Sequence, residues 1–227
     1  MGALVYFLVG YSQLWLAALV AYFCGCFNGA VIVSKYILRD DVRNHGSGNA
    51  GLTNFFRTFG GPLTFVVILT DVLKAIVAIL VSVWLGGLFD PRILPAAPLE
   101  NQAMILVFFK YWGGLFCLLG PISPCMFHSK GGKCILAGGT IAIMIDWRIA
   151  LVVWGGFLIL AVLTRYVSLG SCWAGASFPF ITWFVYRSVP VTVLAIIIGG
   201  LILYMHRGNI HRLLTGTENK FTLHKKS

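Results

Sequence analysis

Apolar residues run along this chain in long stretches divided by short polar breaks, without the alternating segments that mark barrel strands. The first stretch begins near Ala3 and continues to about Leu38, longer than one membrane crossing, with Gly25, Asn28 and Gly29 as the expected bend. The second runs from Pro62 to about Leu88 and the third from about Gln102 to Gly120. Cys134 to Ile145 is too short to cross a bilayer comfortably, and is expected as a partial helix or with Lys133 snorkelling to the surface. Arg148 to Leu163, Ser171 to Tyr186 and Val189 to Met205 follow, and a basic tail runs from His206 to Ser227. A bilayer core takes roughly 20 helical residues, so the pattern predicts an all-α polytopic membrane protein with about seven transmembrane helices. One domain over residues 1–227 is expected.

Composition sharpens this. The chain is 59% hydrophobic and 11% charged, against about 25% charged in soluble domains, and its mean hydropathy is +0.88. A net charge of +10 would raise nucleic acid as a partner of a soluble protein. In a membrane chain it reads as the positive-inside bias and as attraction to anionic lipids and substrates, so no nucleic-acid partner is expected. The N-terminus carries no basic side chain ahead of an apolar run longer than a signal-peptide core, and is expected to remain as the first span. The six cysteines include no Cys-x-x-Cys and read as packing residues rather than a disulfide or zinc framework. If seven segments alternate, twelve Lys and Arg fall on the side of the tail and three on the other, with Lys74 and Lys110 inside spans. That asymmetry predicts an N-terminus outside, and a tail and polar loops in the cytoplasm.

Three polar blocks then share one membrane face. His45 to Arg57 reads His-Gly-Ser-Gly-Asn-Ala-Gly-Leu-Thr-Asn-Phe-Phe-Arg. Glycines let several N–H groups turn into one concavity, and hydroxyls, amides and a guanidinium complete a site for phosphate oxygens. Its Gly-x-Gly-x-x-Gly spacing is not a dinucleotide fingerprint, because the flanking runs are membrane segments and Asp71 lies inside one. Asp71 and Lys74, three apart on one helix face, are expected to pair or to act directly, with Arg57 as another partner for the aspartate. Lys130-Gly131-Gly132-Lys133 lets the backbone approach an anion, with Lys133 at the start of the short helix. His206-x-x-Asn209-x-x-Arg212 places three polar side chains on one helical face, and His206 is the group best suited to exchange protons near neutral pH.

Taken together these blocks resemble the bacterial membrane glycerol-3-phosphate acyltransferase family that uses acyl phosphate as donor. Gly46 to Arg57 with Asp71-x-x-Lys74 is similar to its first motif, and Pro124 with Lys130 to Lys133 to its second. Thr164 to Ser171 with His206 to Lys220 is similar to its last. The family pattern carries histidine where Pro121 stands, phenylalanine at Ser129, glycine at Cys134, proline at Asn28 and glycine at Ala75. The resemblance implies seven helices in the bacterial inner membrane and an active site facing the cytoplasm. It implies acyl transfer from a long-chain acyl phosphate to glycerol 3-phosphate, without metal or other cofactor. Membrane lipids and a peripheral enzyme supplying the acyl phosphate are the further partners.

An acyl phosphate is a mixed anhydride, so holding two anions close and stabilising the carbonyl oxyanion can carry the reaction. Ser47, Gly48, Asn49 and Gly51 are expected on one phosphate. Arg57, Lys133, Thr53, Asn54, His206 and Asn209 are expected on the other or at the reacting centre. Lys130, Gly131, Gly132 and Glu218 are further substrate-binding candidates, and the base is His206 or a substrate phosphate oxygen. Two other readings stay open: a transporter of an anionic solute, with the segment 134–145 as a half-helix, and an altered-substrate or silent paralogue.

Overall fold

The computed structural model describes residues 11–88, 102–125 and 132–221, and among these no strand occurs. The expected start of the first span, Arg92, Ser129, Lys130, Gly131 and the end of the tail lie outside the described residues. Helix α1 covers Ser12–Cys26 and α2 Gly29–Ile32, continuing as a π turn over Val33–Ile37. The short α3, Leu52–Thr58, follows the glycine-rich loop. The apolar stretches beyond it are α4 (Leu63–Gly87), α5 (Gln102–Ile122), α6 (Ile135–Ile145), α7 (Trp147–Thr164), α8 (Val167–Tyr186) and α9 (Val189–Met205). The tail opens with α10, Arg207–Leu214.

Four of these segments are long and apolar enough to cross a bilayer: Ser12–Ile37, Leu63–Gly87, Gln102–Ile122 and Trp147–Thr164. A fifth arises if α9 and α10, bent by 59°, are one span. At 1.5 Å per residue the 25 residues of α4 reach about 37 Å, and the 11 of α6 only about 16 Å.

Two triplets of helices pack side by side. Helices α1, α4 and α5 contact one another, α8 packs on both α7 and α9, and the short α6 touches α4, α5 and α7. Small residues set the distances, as expected where lipid gives helices no hydrophobic reason to associate. A Cβ on Gly25 would overlap the Cys117 carbonyl, and one on Gly199 the Gly175 carbonyl, so these backbones pass in direct contact.

The expected bend is a true break. The helix is interrupted at Phe27 and Asn28, both extended, and the Asn28 side chain accepts from Val31 N at 3.1 Å and caps α2. The break leaves the Phe27 carbonyl without a helical partner, and Lys74 Nζ donates to it at 3.0 Å. Lys74 also holds Asp71 at 2.6 Å, so the buried ion pair forms within α4 and not with Arg57. At the far end of α6, Lys110 Nζ donates to the Ile145 carbonyl at 3.1 Å and caps that helix.

Pro121 corrects one boundary. The third stretch was expected to end at Gly120, yet Pro121 lies within α5. A proline in the final turn forfeits one backbone bond, and its own carbonyl gains Gly132 N at 2.9 Å.

Candidate active site

The first loop is built around an asparagine. Gly46 and Gly48 have φ of +56° and +68°, the left-handed region, and a Cβ on Gly46 would collide with Asn54 Oδ1. Asn54 is buried; its Nδ2 donates to the carbonyls of Val42, His45 and Asn49, each at 3.0 Å, and its Oδ1 accepts from Ser47 N at 3.1 Å. The amide expected to hold substrate is therefore spent on shaping the loop. Asn54→Asp keeps the shape but sets a carboxylate against three carbonyl oxygens. It is expected to lower both turnover and the unfolding temperature. Lost turnover with an unchanged melting curve would return Asn54 to the ligand.

The second loop locks onto the first. Gly132 sits so close that a Cβ would come within 2.6 Å of the Ala50 carbonyl, which itself accepts Asn28 Nδ2 at 3.0 Å. Cys134, the N-cap of α6, has φ of 58°, a conformation that favours glycine. This is where the family pattern carries glycine. The left-handed region costs a side-chain-bearing residue roughly 1–2 kcal/mol, so Cys134→Gly is expected to melt about 2–8 °C above Cys134→Ala. Equal melting temperatures would remove that strain.

The tail closes the site from the third side. Lys133 Nζ donates to Asn209 Oδ1, Asn209 Nδ2 to Glu218 Oε1 at 3.1 Å, and Arg212 Nε to Glu218 Oε2 at 2.9 Å. Both oxygens of Glu218 are thus committed to protein partners. Phe221 N donates to the Arg165 carbonyl at 2.8 Å and its ring stacks on Phe56, pinning the tail across α3 and the α7–α8 turn.

His206 closes α9, buried, with Nδ1 2.8 Å from the Ile202 carbonyl. A carbonyl only accepts, so Nδ1 carries the proton and the neutral ring presents Nε2 as its lone pair. Burial, assisted by the Lys133 charge, depresses the histidine pKa below its ordinary value against the pull of Ile202 and Glu218. Burial and Arg212 likewise depress that of Lys133.

All three blocks line one cavity of about 310 Å³. Ser47, Asn49, Gly51, Thr53 and Arg57 face it from the first loop and α3. Gly132 and Lys133 come from the second loop, and His206, Asn209, Arg212 and Glu218 from the tail. Gly48 does not line it and acts through loop shape. Among the described residues four cations border the cavity, Arg57, Lys74, Lys133 and Arg212, and two carboxylates, Asp71 and Glu218. Lys74 and Arg212 take up the carboxylates, which leaves Arg57 and Lys133 as excess positive charge. Ile135, Leu136, Trp154 and Phe157 give the cavity an apolar part of its lining. A narrow apolar crevice shares Ile135, Trp154 and Phe157 and continues among α6–α9.

Ser168 was not among the site residues expected from the sequence. Its hydroxyl lines the cavity, buried and without a hydrogen-bond partner among the described residues. The signal was present, since Ser168 falls in the block Thr164 to Ser171.

Comparison with known proteins places the chain in a family. The family model described as glycerol-3-phosphate acyltransferase matches residues 15–216. A glycerol-3-phosphate acyltransferase of Thermoanaerobacter pseudethanolicus is 33% identical over 205 residues, covering 90% of this chain and 94% of the relative. One from Thermosynechococcus vestitus is 34% identical over 206 residues, covering 90% and 93%. The crystal structure of PlsY (YgiH), an integral membrane glycerol 3-phosphate acyltransferase, in its glycerol 3-phosphate form, superposes with a TM-score of 0.76. It is 30% identical, with 92% of this chain and 96% of that one covered. Its lysophosphatidic acid form gives 0.73 at 29% identity, covering 92% and 95%. With its motifs gathered on one cavity and residues 15–216 matched by the family model, the chain belongs to the glycerol-3-phosphate acyltransferase family.

Proposed function

We propose that the protein transfers an acyl chain from acyl phosphate to a hydroxyl of glycerol 3-phosphate, releasing lysophosphatidic acid and inorganic phosphate. The observation that carries this is one cavity lined both by two cations left uncompensated among the described residues, Arg57 and Lys133, and by apolar side chains. Two phosphates and an alkyl chain are the ligands such a cavity suits. The glycerol 3-phosphate and lysophosphatidic acid forms of the structural neighbour carry one substrate and one product of that reaction.

In this reading the acceptor hydroxyl oxygen bonds to the acyl carbon and the carbon–oxygen bond to the donor phosphate breaks. The hydroxyl proton passes to His206 Nε2 and on to the departing phosphate. Arg57 and Lys133 neutralise the phosphates, with Ser47, Thr53 and Ser168 as hydroxyl donors and the loop amides of Asn49 and Gly51 completing the cradle. Asn209 orients Lys133, and Glu218 orients Asn209. Lys130 and Gly131 extend the second loop's contact with phosphate. The acyl chain follows the apolar lining past Trp154 toward the crevice among α6–α9.

The chain is one domain crossing the inner membrane seven times, with α1–α2 as the first crossing and α4 to α9 as the others. The asymmetry of twelve against three cationic residues supports a cytoplasmic site and tail and an external N-terminus. Acyl phosphate arrives from a peripheral enzyme, and the product leaves into the lipid. Purified protein in detergent, given radiolabelled glycerol 3-phosphate with palmitoyl phosphate or palmitoyl-CoA, is expected to make lysophosphatidic acid from the phosphate alone. Comparable product from the thioester would overturn the donor, and none from either would overturn the reaction.

A further inference from the structure

Cys26 and Cys125 are 99 residues apart, yet their sulfurs lie 3.6 Å from each other. Cys26 is buried at the end of α1, its thiol 3.9 Å from the Gly120 carbonyl. Cys125 follows α5 and is the exposed member of the six free cysteines. The platform around them is fixed: a Cβ on Gly120 would meet the α1 backbone at Tyr22, Gly25 and Cys26, and the Tyr22 hydroxyl donates to the Ser123 carbonyl at 2.8 Å. An exposed attacking thiol touching a buried resolving thiol is the arrangement disulfide exchange requires.

We infer that Cys26 and Cys125 form an oxidisable thiol pair whose disulfide slows the enzyme by displacing the loops that frame its cavity. The oxidant is a low-molecular-weight disulfide. The Cys125 thiolate attacks one of its sulfurs and releases one thiolate; the Cys26 thiolate then attacks Cys125 Sγ and releases the second. The two cysteine protons end on the two released thiols, so one external disulfide is reduced and one protein disulfide formed.

A disulfide brings sulfurs to about 2.0 Å, so closure draws them together by roughly 1.6 Å from their present 3.6 Å. Two residues beyond Cys26, Asn28 holds the Ala50 carbonyl of the first loop, and four residues before Cys125, the Pro121 carbonyl holds Gly132 N of the second. Ala50 and Gly132 are in direct contact, so a backbone shift at either cysteine reaches both loops. Misplacement of a reacting group by about 1 Å costs up to a hundredfold in rate.

The test is to treat the intact protein in detergent with oxidised glutathione, map cross-linked peptides by mass, and follow acyl transfer before oxidation, after it, and after dithiothreitol. Expected are a Cys26–Cys125 cross-link and a fall in turnover of about fivefold or more, reversed by the reductant. Cys125→Ser and Cys125→Ala should keep the reduced enzyme's turnover and lose the sensitivity. A glutathione adduct that never resolves onto Cys26, a cross-link with unchanged turnover, or equal inhibition of the Cys125 variants would each overturn the inference. The cross-link is read by mass, so its outcome is separate from that of the proposed reaction.

Discussion

Arg57→Ala is expected to lower kcat/KM by about a hundredfold or more while leaving the unfolding temperature where it was. Arg57 is exposed on α3, faces the cavity and has no hydrogen-bond or ion-pair partner among the described residues. Its position comes from its neighbours, since Phe55 is fully buried and Asn54 ties α3 to the loop. A guanidinium so placed contributes little to folding. It offers a fork that matches a phosphate in two places, each charge-assisted bond worth about 1.5–3 kcal/mol. Arg57→Lys keeps the charge without the fork and should fall between wild type and alanine. Steady-state kinetics beside a thermal melt decide it: unchanged kcat/KM removes the phosphate role, and a lost melting transition makes Arg57 structural.

His206→Ala is expected to reduce turnover by roughly 10²–10⁴, the usual worth of a positioned general base. The depressed pKa gives this a pH signature. Neutral His206 is the competent base, so activity should hold on the alkaline side and fall as pH drops through a midpoint below the ordinary histidine value of about 6.5. Stability moves the same way. The unfolded chain takes up the proton first, so stability declines on acidification from about 6.5 and stops declining once the native ring is also protonated. His206→Gln should lose the acid limb of the rate profile. Turnover within threefold of wild type would instead assign the proton to a substrate phosphate oxygen.

Much of the architecture could be read from the residues. The apolar runs give the ends of α4, α7 and α9 to within one or two residues, because lipid admits only segments that satisfy their own backbone. Gly25, Asn28 and Gly29 marked the break in the first span. The three polar blocks were legible as one site because glycines, cations and amides recur at spacings that suit phosphate. The direction each polar side chain faces was not legible. Asn54 and Glu218 carry the same groups whether they meet a ligand or the backbone, and only the fold shows that both are spent internally. Lys74 was visible as a partner for Asp71, but its bond to Phe27 depends on a carbonyl freed 47 residues away. Cys26 and Cys125 meet only because α1 packs on α5. Cys134 shows the converse: the family's glycine marks a left-handed residue, and this chain keeps the conformation without it.

The most direct measurement of acyl transfer is phosphate release from palmitoyl phosphate by the purified protein, with and without glycerol 3-phosphate. Release that depends on the acceptor, and disappears in Arg57→Ala, is the expected result. Release at the same rate without the acceptor, or none from protein shown to be folded, would contradict it.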